Sequence, residues 1–490
     1  MNFAEQPITS EDFQKLRSVL LVGAGGITGL WYSRLLLRNR KTIYAYDGNE
    51  SVQYPEELTS HEQFHIVSRQ EFTSGEILSK VDGVTLSPGV PLSQPIFQMA
   101  AQMENAPLVF SELEYCFEQL FEREWICITG TDGKSTVTSL IAHLFNENAL
   151  PAMACGNFKT PFSQILVEPE RFSGYRYLIA ELSSYQLELS RNLKPAAALY
   201  LNLAPDHLNR YDDIEHYGLT KWNLFQNMSE GLCLINQKLF PPLCSWWKTS
   251  HPAEKIPAGC RKVLVDDEKL SSENFYWLKE TLYYKKSSGE AFEHSEPVVS
   301  LDQLAVSGRH NCANILFAME VYFYFTQKSS QAKGALCRYR GLPHRFERII
   351  TTDGNLYIND SKATTTQATL AALSSVSPPL VLFLGGQSKG EDYAMLAPAL
   401  LEKEAELYLY GENRNEIKES LEAHGVPIAG VWPDLDTAFH DACAQTKAKY
   451  PAGGLTFLLA PAATSWDQYA SFEKRGDHFR QLVEKQSAGR

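Results

Sequence analysis

The chain has 490 residues, of which 44% are hydrophobic, 11% aromatic and 21% charged, so it has the composition of a folded globular protein rather than a disordered one. Its 45 Lys and Arg residues against 58 Asp and Glu residues give a formal net charge of −13, which argues against broad non-specific nucleic-acid binding but leaves room for a local basic phosphate pocket. The nine dispersed cysteines include no C-x-x-C pair, so we expect reduced thiols in a cytoplasm and neither a disulfide framework nor a zinc site. The polar, acidic N-terminus and the short apolar runs predict neither a leader peptide nor a membrane helix.

Short apolar runs, each followed by a turn and then a helical pattern, recur along the chain and predict an α/β fold with parallel sheets. The runs are Ser18–Val22, Ile43–Tyr46, Trp125–Thr129, Tyr177–Ala180, Ala197–Asn202, Leu356–Asn359, Leu380–Leu384, Leu407–Tyr410 and Thr456–Leu459. We predict three domains at 1–112, 113–341 and 342–490: a Rossmann-like first domain, a central domain of the P-loop ATPase type, and a Rossmann-like third domain. The less regular stretch Gln237–Pro297 is interpreted as a peripheral elaboration of the central domain.

The first predicted strand runs into a glycine-rich turn, Gly23–Gly29, which precedes an apolar helix start. Such a turn allows close approach of a phosphate to a helix N-terminus, and Asp47, at the end of the next strand, suits a ribose or base contact. Thr28 breaks the strict G-x-G-x-x-G spacing. A dinucleotide site, a site for another diphosphate and a plain strand–helix connection therefore all stay open.

The strongest local pattern is Gly130–Thr136, where a strand feeds a glycine-containing loop and Lys-Ser-Thr opens a helix over Val137–Phe145. Backbone N–H groups of such a loop cradle phosphates, Lys134 can neutralise their oxygens, and a hydroxyl can reach Mg²⁺. Glu181 follows the next strand and suits a magnesium ligand, although a surface glutamate is the simpler alternative. His207 stands in a loop, where a histidine is more often structural.

Lys221 falls within an apolar stripe on a helix predicted around Ile214–Met228, with apolar residues at helical spacing on either side of it. A lysine that faces a core is costly unless it has a partner. Two interpretations stay open: an ammonium that reaches solvent at the edge of the stripe, and a functional lysine with a depressed pKa.

Asn311 and Asn314 lie one turn apart at the start of another predicted helix. They could bind the edge of a base, but their spacing alone favours helix capping.

Three strands of the third block end in Lys, Ser/Thr and Asp groups, and a polar cluster around Arg345 precedes the first of them. The strand ends deliver the segments Asp360–Thr364, Gly385–Gly390 and Ala460–Gln468. Because parallel strands present their carboxyl ends at one sheet edge, we expect a site there for a small anionic substrate.

Taken in chain order, these motifs resemble those of the Mur ligase family. The motifs that carry the resemblance span nearly the whole chain: GITG, SPG, GTDGKST, ELSSYQLE, PDHLNRY, the Lys221 helix, GRHNCAN, LPHRFE, NDSKAT, GGQSKGEDY and APAATSWDQYASFEKRG. GTDGKST is shared by all Mur ligases and by folate-glutamate ligases, whereas NDSKAT and PAATSWDQYASFEKRG point to the D-glutamate-adding branch. The resemblance implies that the three domains bind a UDP-muramoyl substrate, ATP and D-glutamate in that order.

The resemblance also implies a role for individual residues. Contacts to the UDP substrate are implied for Gly26, Ile27, Thr28, Asp47, Asn157 and Ser183. Contacts to ATP are implied for Gly130, Thr131, Asp132, Gly133, Lys134, Ser135, Thr136, Asn311, Asn314, Arg345 and Asp360. Metal contacts are implied for Ser135, Glu181 and Lys221, with Lys221 carbamylated, and catalytic roles for Lys134, His207 and Lys221. Contacts to D-glutamate are implied for Thr364, Lys389, Ser465 and Phe472.

By the same resemblance, the expected reaction is the phosphorylation of the carboxylate of UDP-N-acetylmuramoyl-L-alanine by ATP with two Mg²⁺ ions, followed by attack of D-glutamate on the acyl phosphate. We expect a cytoplasmic monomer in peptidoglycan precursor synthesis, which neither binds nucleic acid nor inserts into a membrane. The alternatives are a sibling ligase that adds another amino acid, a nicotinamide-dependent oxidoreductase and a non-catalytic nucleotide-binding regulator.

Overall fold

The structure is a computed structural model that describes residues 8–206, 210–250, 259–286, 295–306, 308–349, 351–451 and 453–488. The chain forms two compact units, the first comprising Met1–Gln303 with Arg309–Cys337 and the second Leu304–Gly308 with Arg338–Arg490. The predicted division of the first unit into two domains stays a prediction. None of the helices among the described residues is long and apolar enough to cross a membrane.

The first unit begins with a five-stranded, all-parallel sheet of order β3-β2-β1-β4-β5. Most strand positions are buried, as expected where helices cover both faces of a parallel sheet. The strands are β1 (Ser18–Val22), β2 (Thr42–Tyr46), β3 (Phe64–Ile66), β4 (Gly83–Leu86) and β5 (Leu108–Ser111). The helices are α1 (Ser10–Lys15), α2 (Ile27–Arg38), α3 (Glu56–Thr59), α4 (Arg69–Ser74), α5 (Pro95–Gln102) and α6 (Glu112–Phe117).

A second parallel sheet, of order β11-β10-β9-β6-β8-β7, forms the centre of the first unit. Its strands are β6 (Glu124–Thr129), β7 (Ala152–Gly156), β8 (Tyr177–Glu181), β9 (Ala197–Tyr200), β10 (Gly231–Asn236) and β11 (Cys260–Val265). The sheet is extended from β6 in both directions, by β8 and β7 on one side and by β9 on the other. The loop after β6 therefore stands at a topological switch point, where open α/β sheets bind ligands.

The helices of this part follow the predicted alternation with the strands. They are α7 (Lys134–Glu147), α8 (Phe162–Val167), α9 (Pro169–Phe172), α10 (Ser184–Leu187), α11 (Ile214–Trp222), α12 (Phe240–Ser250), α13 (Arg309–Thr326) and α14 (Ala332–Arg338). The helix that carries Lys221 is shorter than predicted. After Trp222 it tightens into a 3₁₀ turn over Asn223–Phe225, and the Asn223 amide donates to the Leu187 carbonyl at 3.0 Å.

The stretch Gln237–Pro297 is only in part the predicted peripheral elaboration. Within it, β11 pairs with β10 as the edge strand of the central sheet. A small antiparallel sheet follows, formed by β12 (Phe275–Leu278), β13 (Thr281–Lys285) and β14 (Ser295–Ser300). The irregular composition of the stretch thus concealed one edge strand of the central sheet.

The second unit contains a sheet of order β15-β16-β20-β17-β18-β19, parallel except for the β15–β16 pair. Its strands are β15 (Glu347–Ile349), β16 (Leu356–Asn359), β17 (Leu380–Gly385), β18 (Glu406–Tyr410), β19 (Gly430–Val431) and β20 (Thr456–Leu459). Its helices are α15 (Thr366–Ser374), α16 (Ala397–Glu402), α17 (Arg414–Glu422), α18 (Leu435–Lys449) and α19 (Phe472–Ala488). β16, β20 and β17 are neighbours, so the three polar strand ends singled out in the sequence do share one sheet edge.

Candidate active site

The loop after β6 has the form of a phosphate cradle. Gly130 and Gly133 have positive φ angles of 152° and 80°, which favour glycine. Gly133 is the N-cap of α7 and supplies no side-chain cap. The N-terminal amides of this 14-residue helix can therefore face an anion, and Ser135 and Thr136 lie half-buried in its first turn.

Asn202, just beyond the end of β9, braces this loop. Its Oδ1 accepts from the backbone N–H groups of Thr131 and Asp132 at 3.0 and 2.8 Å, and its Nδ2 donates to the Asp132 carbonyl at 3.0 Å. Thr131 also exchanges hydrogen bonds with the backbone of Ala204. Sequence reasoning did not identify Asn202, because it assigned the residue to the end of a strand.

Two lysines converge on the carbonyl oxygen of Gly130. Lys134 Nζ donates to it at 2.9 Å and to the Thr131 carbonyl at 2.7 Å. Lys221 Nζ donates to the same Gly130 oxygen at 2.9 Å. Two predicted catalytic residues, on α7 and α11, thus meet at the phosphate loop.

Lys221 is 1% exposed, so its ammonium does not reach solvent at the edge of an apolar stripe. Its Nζ lies 4.6 Å from the centre of the Tyr217 ring. Burial, reinforced by the charge of Lys134 and opposed by the carboxylates of Asp206 and Glu181, lowers the pKa of Lys221 to about 7. A substantial fraction of this lysine is therefore neutral near neutral pH, as the functional interpretation requires.

Glu181 ends β8 and is 3% exposed. Its Oε1 accepts from the Asn157 amide at 2.8 Å, whereas its Oε2 is buried and has no hydrogen-bond partner among the residues that the structure describes. A carboxylate oxygen in this state needs a cation or a donor. An orphaned hard oxygen beside a phosphate loop fits a Mg²⁺ ion, so this part of the predicted donor set is suited to the metal.

The remaining predicted residues of this region have different surroundings. Ser183 is the N-cap of α10, where it forms a capping box with Gln186. His207 lies outside the described residues.

Asn311 and Asn314 lie inside α13 and are buried, so the predicted capping role is wrong. Asn314 Nδ2 donates to Asn311 Oδ1 at 3.3 Å. A Cβ at Gly133 would lie only 2.6 Å from Asn314 Oδ1. The asparagine pair is thus placed against the phosphate loop, which is compatible with the predicted contact to ATP.

The glycine-rich turn of the first sheet forms a second open helix N-terminus. Gly26 is the N-cap of α2 without a side-chain cap, and Ile27 is 70% exposed beside half-buried Thr28. Asp47 directly follows β2, and its Oδ2 accepts from the Gly25 N–H at 2.8 Å and thereby fixes the turn. Gly29 allows close packing, since a Cβ there would lie 2.5 Å from the Gly23 carbonyl oxygen.

In the second unit, Asp360 follows β16 and is 8% exposed. It accepts from the Phe346 N–H at 3.1 Å. Burial raises the pKa of Asp360 to about 6, although Arg345 and Lys362 act in the opposite direction. Arg345 and Asp360 therefore belong to one charged group, and their assignment to ATP stays a prediction.

The loops that carry the predicted D-glutamate contacts are joined by Arg475, whose side chain is completely buried. Its guanidinium donates to the carbonyl oxygens of Ser361, Ala463 and Thr464 at 2.8, 3.0 and 3.1 Å. It thereby connects the loop after β16 with the loop after β20, which leads into buried Ser465. The sequence marked this arginine only as part of a motif.

The other predicted D-glutamate contacts surround this network. Thr364 is half-buried in the loop after β16, and Phe472 accepts through its carbonyl from the Ser361 hydroxyl at 2.8 Å. Lys389 is exposed in the loop after β17, with its Nζ 5.3 Å from the centre of the Trp466 ring.

The sequence matches known proteins over most of its length. Residues 128–322 match the profile of the Mur ligase middle domain and residues 344–457 that of the Mur ligase glutamate ligase domain. The chain is 32% identical to the UDP-N-acetylmuramoylalanine–D-glutamate ligase of Pelotomaculum thermopropionicum over 478 residues, covering 96% of this chain and 98% of that protein. It is 31% identical to the protein of the same name from Alkaliphilus metalliredigens, covering 96% and 98%. The chain therefore belongs to the Mur ligase family.

Solved structures agree at the level of the fold. The UDP-N-acetylmuramate–alanine ligase of Thermotoga maritima superposes on this chain with a TM-score of 0.53 and 17% identity. The match covers 96% of this chain and 100% of that protein. The MurF ligase of the same organism, solved with ADP, covers 99% of this chain and 100% of its own, with a TM-score of 0.52 and 14% identity. The predicted α/β fold with several parallel sheets is confirmed.

Proposed function

We propose that this protein joins D-glutamate to the L-alanyl carboxylate of UDP-N-acetylmuramoyl-L-alanine, at the expense of ATP, in cytoplasmic peptidoglycan precursor synthesis. The observation that carries the proposal is the meeting of Lys134 and Lys221 at the Gly130 carbonyl, beside the orphaned oxygen of Glu181. The names of the full-length relatives support the choice of D-glutamate. We expect the enzyme to act as a monomer.

The first chemical step is the transfer of the ATP γ-phosphoryl group to the substrate carboxylate, which forms an acyl phosphate and releases ADP. The loop after β6 and the α7 amides hold the phosphates, and Lys134 turns from its carbonyl partners to the γ-phosphate. Glu181 and Ser135 would hold Mg²⁺, which supplies charge neutralisation when bound. The amine of D-glutamate then attacks the acyl carbon, and phosphate leaves to give the amide.

Lys221 is proposed to carry a carbamate. Its neutral amine adds to carbon dioxide, forms an N–C bond and releases a proton, which leaves a carboxylate in place of the ammonium. Burial favours the neutral amine that reacts. The product has the hard oxygens that Mg²⁺ prefers, and it would stand with Glu181 at the phosphate loop.

The proposal is tested by phosphate release from ATP with UDP-N-acetylmuramoyl-L-alanine and a panel of amino acids. D-Glutamate should support turnover that L-alanine, L-glutamate and diamino acids do not, and mass spectrometry should find the amide product. Turnover with another amino acid would instead favour a sibling ligase. A change in absorbance on addition of a nicotinamide cofactor, without release of phosphate, would favour an oxidoreductase.

A further inference from the structure

Arg210 connects a turn of the first sheet to a helix of the central sheet. Its side chain is 10% exposed, and that of its partner Glu188 is 12% exposed. Glu188 directly follows α10 as its C-cap. The turn over residues 87–90 follows β4, at the carboxyl end of the first sheet. Arg210 is not among the residues to which the proposed function assigns a role.

The guanidinium of Arg210 donates from all three of its nitrogens in five hydrogen bonds. Two donate to the Glu188 carboxylate, from Nε at 2.8 Å and from Nη2 at 2.6 Å. Three donate to successive carbonyls of the turn: Nη2 to Val90 at 3.0 Å, and Nη1 to Pro88 at 3.3 Å and Gly89 at 3.4 Å.

Each partner of the Arg210–Glu188 ion pair also contacts a tyrosine. The carbon at the centre of the Arg210 guanidinium lies 3.9 Å from the centre of the Tyr185 ring. The Tyr211 hydroxyl donates to Glu188 Oε1 at 2.9 Å. A planar group held by a ring, a carboxylate and three carbonyls has little freedom, so it fixes the separation of the elements it joins.

The turn that Arg210 holds is itself in contact with the glycine-rich turn. Ser87 Oγ donates to the Gly23 carbonyl at 2.7 Å. A Cβ at Gly23 would lie 2.7 Å from Val90 Cγ2, so no space separates the two turns. A shift of the 87–90 turn is therefore transmitted to the segment that contains Gly26, Ile27 and Thr28.

We propose that Arg210 is a positioning residue that sets the distance between the UDP end of the substrate, at the glycine-rich turn, and the reacting end, at the β8–α10 connection. This inference rests on the proposed function. A substrate that spans both sheets binds well only when its two ends meet their binding sites at the same time. Loss of the Arg210 contacts would let these two sites shift relative to each other, which weakens substrate binding. ATP and D-glutamate do not span this joint, so their binding is independent of Arg210.

The test is a comparison of Arg210→Ala with the wild-type chain. We expect the KM for UDP-N-acetylmuramoyl-L-alanine to rise about tenfold or more, while the KM values for ATP and D-glutamate stay within about twofold. Calorimetric titration with the same UDP substrate, in the absence of ATP, should show the same loss of affinity. Arg171→Ala is the matched control, because it removes an exposed arginine–glutamate pair of the same unit and should change none of these values.

Arg210→Lys keeps the charge opposite Glu188 but has only three donors, so its KM for the UDP substrate should also rise. If Arg210→Ala does not fold, the KM of Arg210→Lys for the UDP substrate provides the test. An unchanged KM in a folded Arg210→Ala variant, an equal rise of all three KM values, or a wild-type KM in Arg210→Lys overturns the inference. Failure of the wild-type chain to ligate D-glutamate would contradict the proposed function and not this inference. The calorimetric comparison of Arg210→Ala with the wild type would still test the positioning role of Arg210.

Discussion

Lys134 and Lys221 donate to the same carbonyl oxygen, that of Gly130, each at a distance of 2.9 Å. Two ammonium groups on one acceptor repel each other, and burial of Lys221 adds to the cost of the doubly charged state. Two changes relieve it, and both belong to the proposed reaction. In that proposal, phosphates would draw Lys134 away from the Gly130 carbonyl, and a carbamate would replace the positive charge of Lys221 by a negative one.

Replacement of Lys134 by alanine should reduce kcat by on the order of 10²-fold or more, because a cation aimed at the transferring phosphoryl group is lost. The fold should be retained, since Lys134 is half-buried and its hydrogen bonds to the Gly130 and Thr131 carbonyls lie at a partly exposed loop. Phosphate release measures the rate, and circular dichroism checks the fold. Lys194→Ala, at an exposed lysine, is the control. Activity of Lys134→Ala within a few-fold of the wild type would contradict the phosphate-loop assignment.

Replacement of Lys221 by alanine should abolish ligation almost completely, because the proposed metal-binding carboxylate is removed. Added short-chain carboxylic acids should restore part of the activity by supplying the missing oxygens. Mass spectrometry of the intact native protein in bicarbonate should find one added CO₂, about 44 Da, that is absent from Lys221→Ala. An unmodified amine in the presence of bicarbonate and Mg²⁺, or a fully active alanine variant, would be incompatible with the carbamate.

Much of the fold was predictable, because buried parallel strands produce short apolar runs that end in turns. Three strands match the predicted bounds, for example Ser18–Val22 and Thr456–Leu459. The edge strand Cys260–Val265 was missed because its flanking sequence is rich in polar and aromatic residues and its exposed side lacks the apolar signature. Local patterns therefore recover the core of each sheet better than its edges.

The candidate site was predictable where a short motif carries the chemistry, as at Gly130–Thr136. Residues that support the site but lie far from its motifs in the sequence were not predictable, because no local pattern marks them. Asn202 braces the phosphate loop from the segment after β9, and Arg475 joins loops more than a hundred residues apart, including that of Ser361. Asn314 was singled out in the sequence as a candidate ATP contact, but its position against Gly133 depends on the packing of two helices and could not be read from its spacing.

Replacement of Gly133 by alanine should destabilise the protein and weaken ATP binding. A Cβ there would lie 2.6 Å from Asn314 Oδ1, and the φ angle of 80° is strained for alanine, at about 1 to 3 kcal/mol. The KM for ATP should rise more than that for the UDP substrate. Gly174→Ala is the control, because a Cβ at that position meets open space. Thermal unfolding and ATP titration measure both effects, and equal behaviour of the two variants would contradict the packing argument.

Replacement of Lys389 by alanine should raise the KM for D-glutamate much more than the KM for ATP. The exposed ammonium lies at the sheet edge where the strand ends of the second unit meet, near the Trp466 ring, and it is proposed to bind a carboxylate. Lys418→Ala is the control, since it removes an exposed helical ion pair of the same unit. Steady-state kinetics with each substrate varied in turn provide the measurement. Equal effects on both KM values would remove the basis for the assignment.

Glu112 should make the stability of the first unit depend on pH. Its side chain is buried, Oε1 accepts from the Ser163 N–H at 2.7 Å, and burial raises the pKa of Glu112 from 4.5 to about 7 despite that hydrogen bond. The folded state thus holds this proton more tightly than the unfolded state. The resulting stabilisation is fully present below pH 4.5 and is lost as pH rises through 7, by about 3 kcal/mol in total.

Replacement of Glu112 by glutamine keeps an acceptor for Ser163 and removes the titration. The Tm of Glu112→Gln relative to the wild type should therefore increase between pH 5 and pH 8, as the wild type loses its stabilisation and the variant does not. Glu170→Gln, at an exposed carboxylate of the same unit, should show no such increase. Thermal unfolding of the three proteins across this range measures the difference. A Tm difference that is constant with pH would mean that Glu112 is ionised in the folded protein throughout the range.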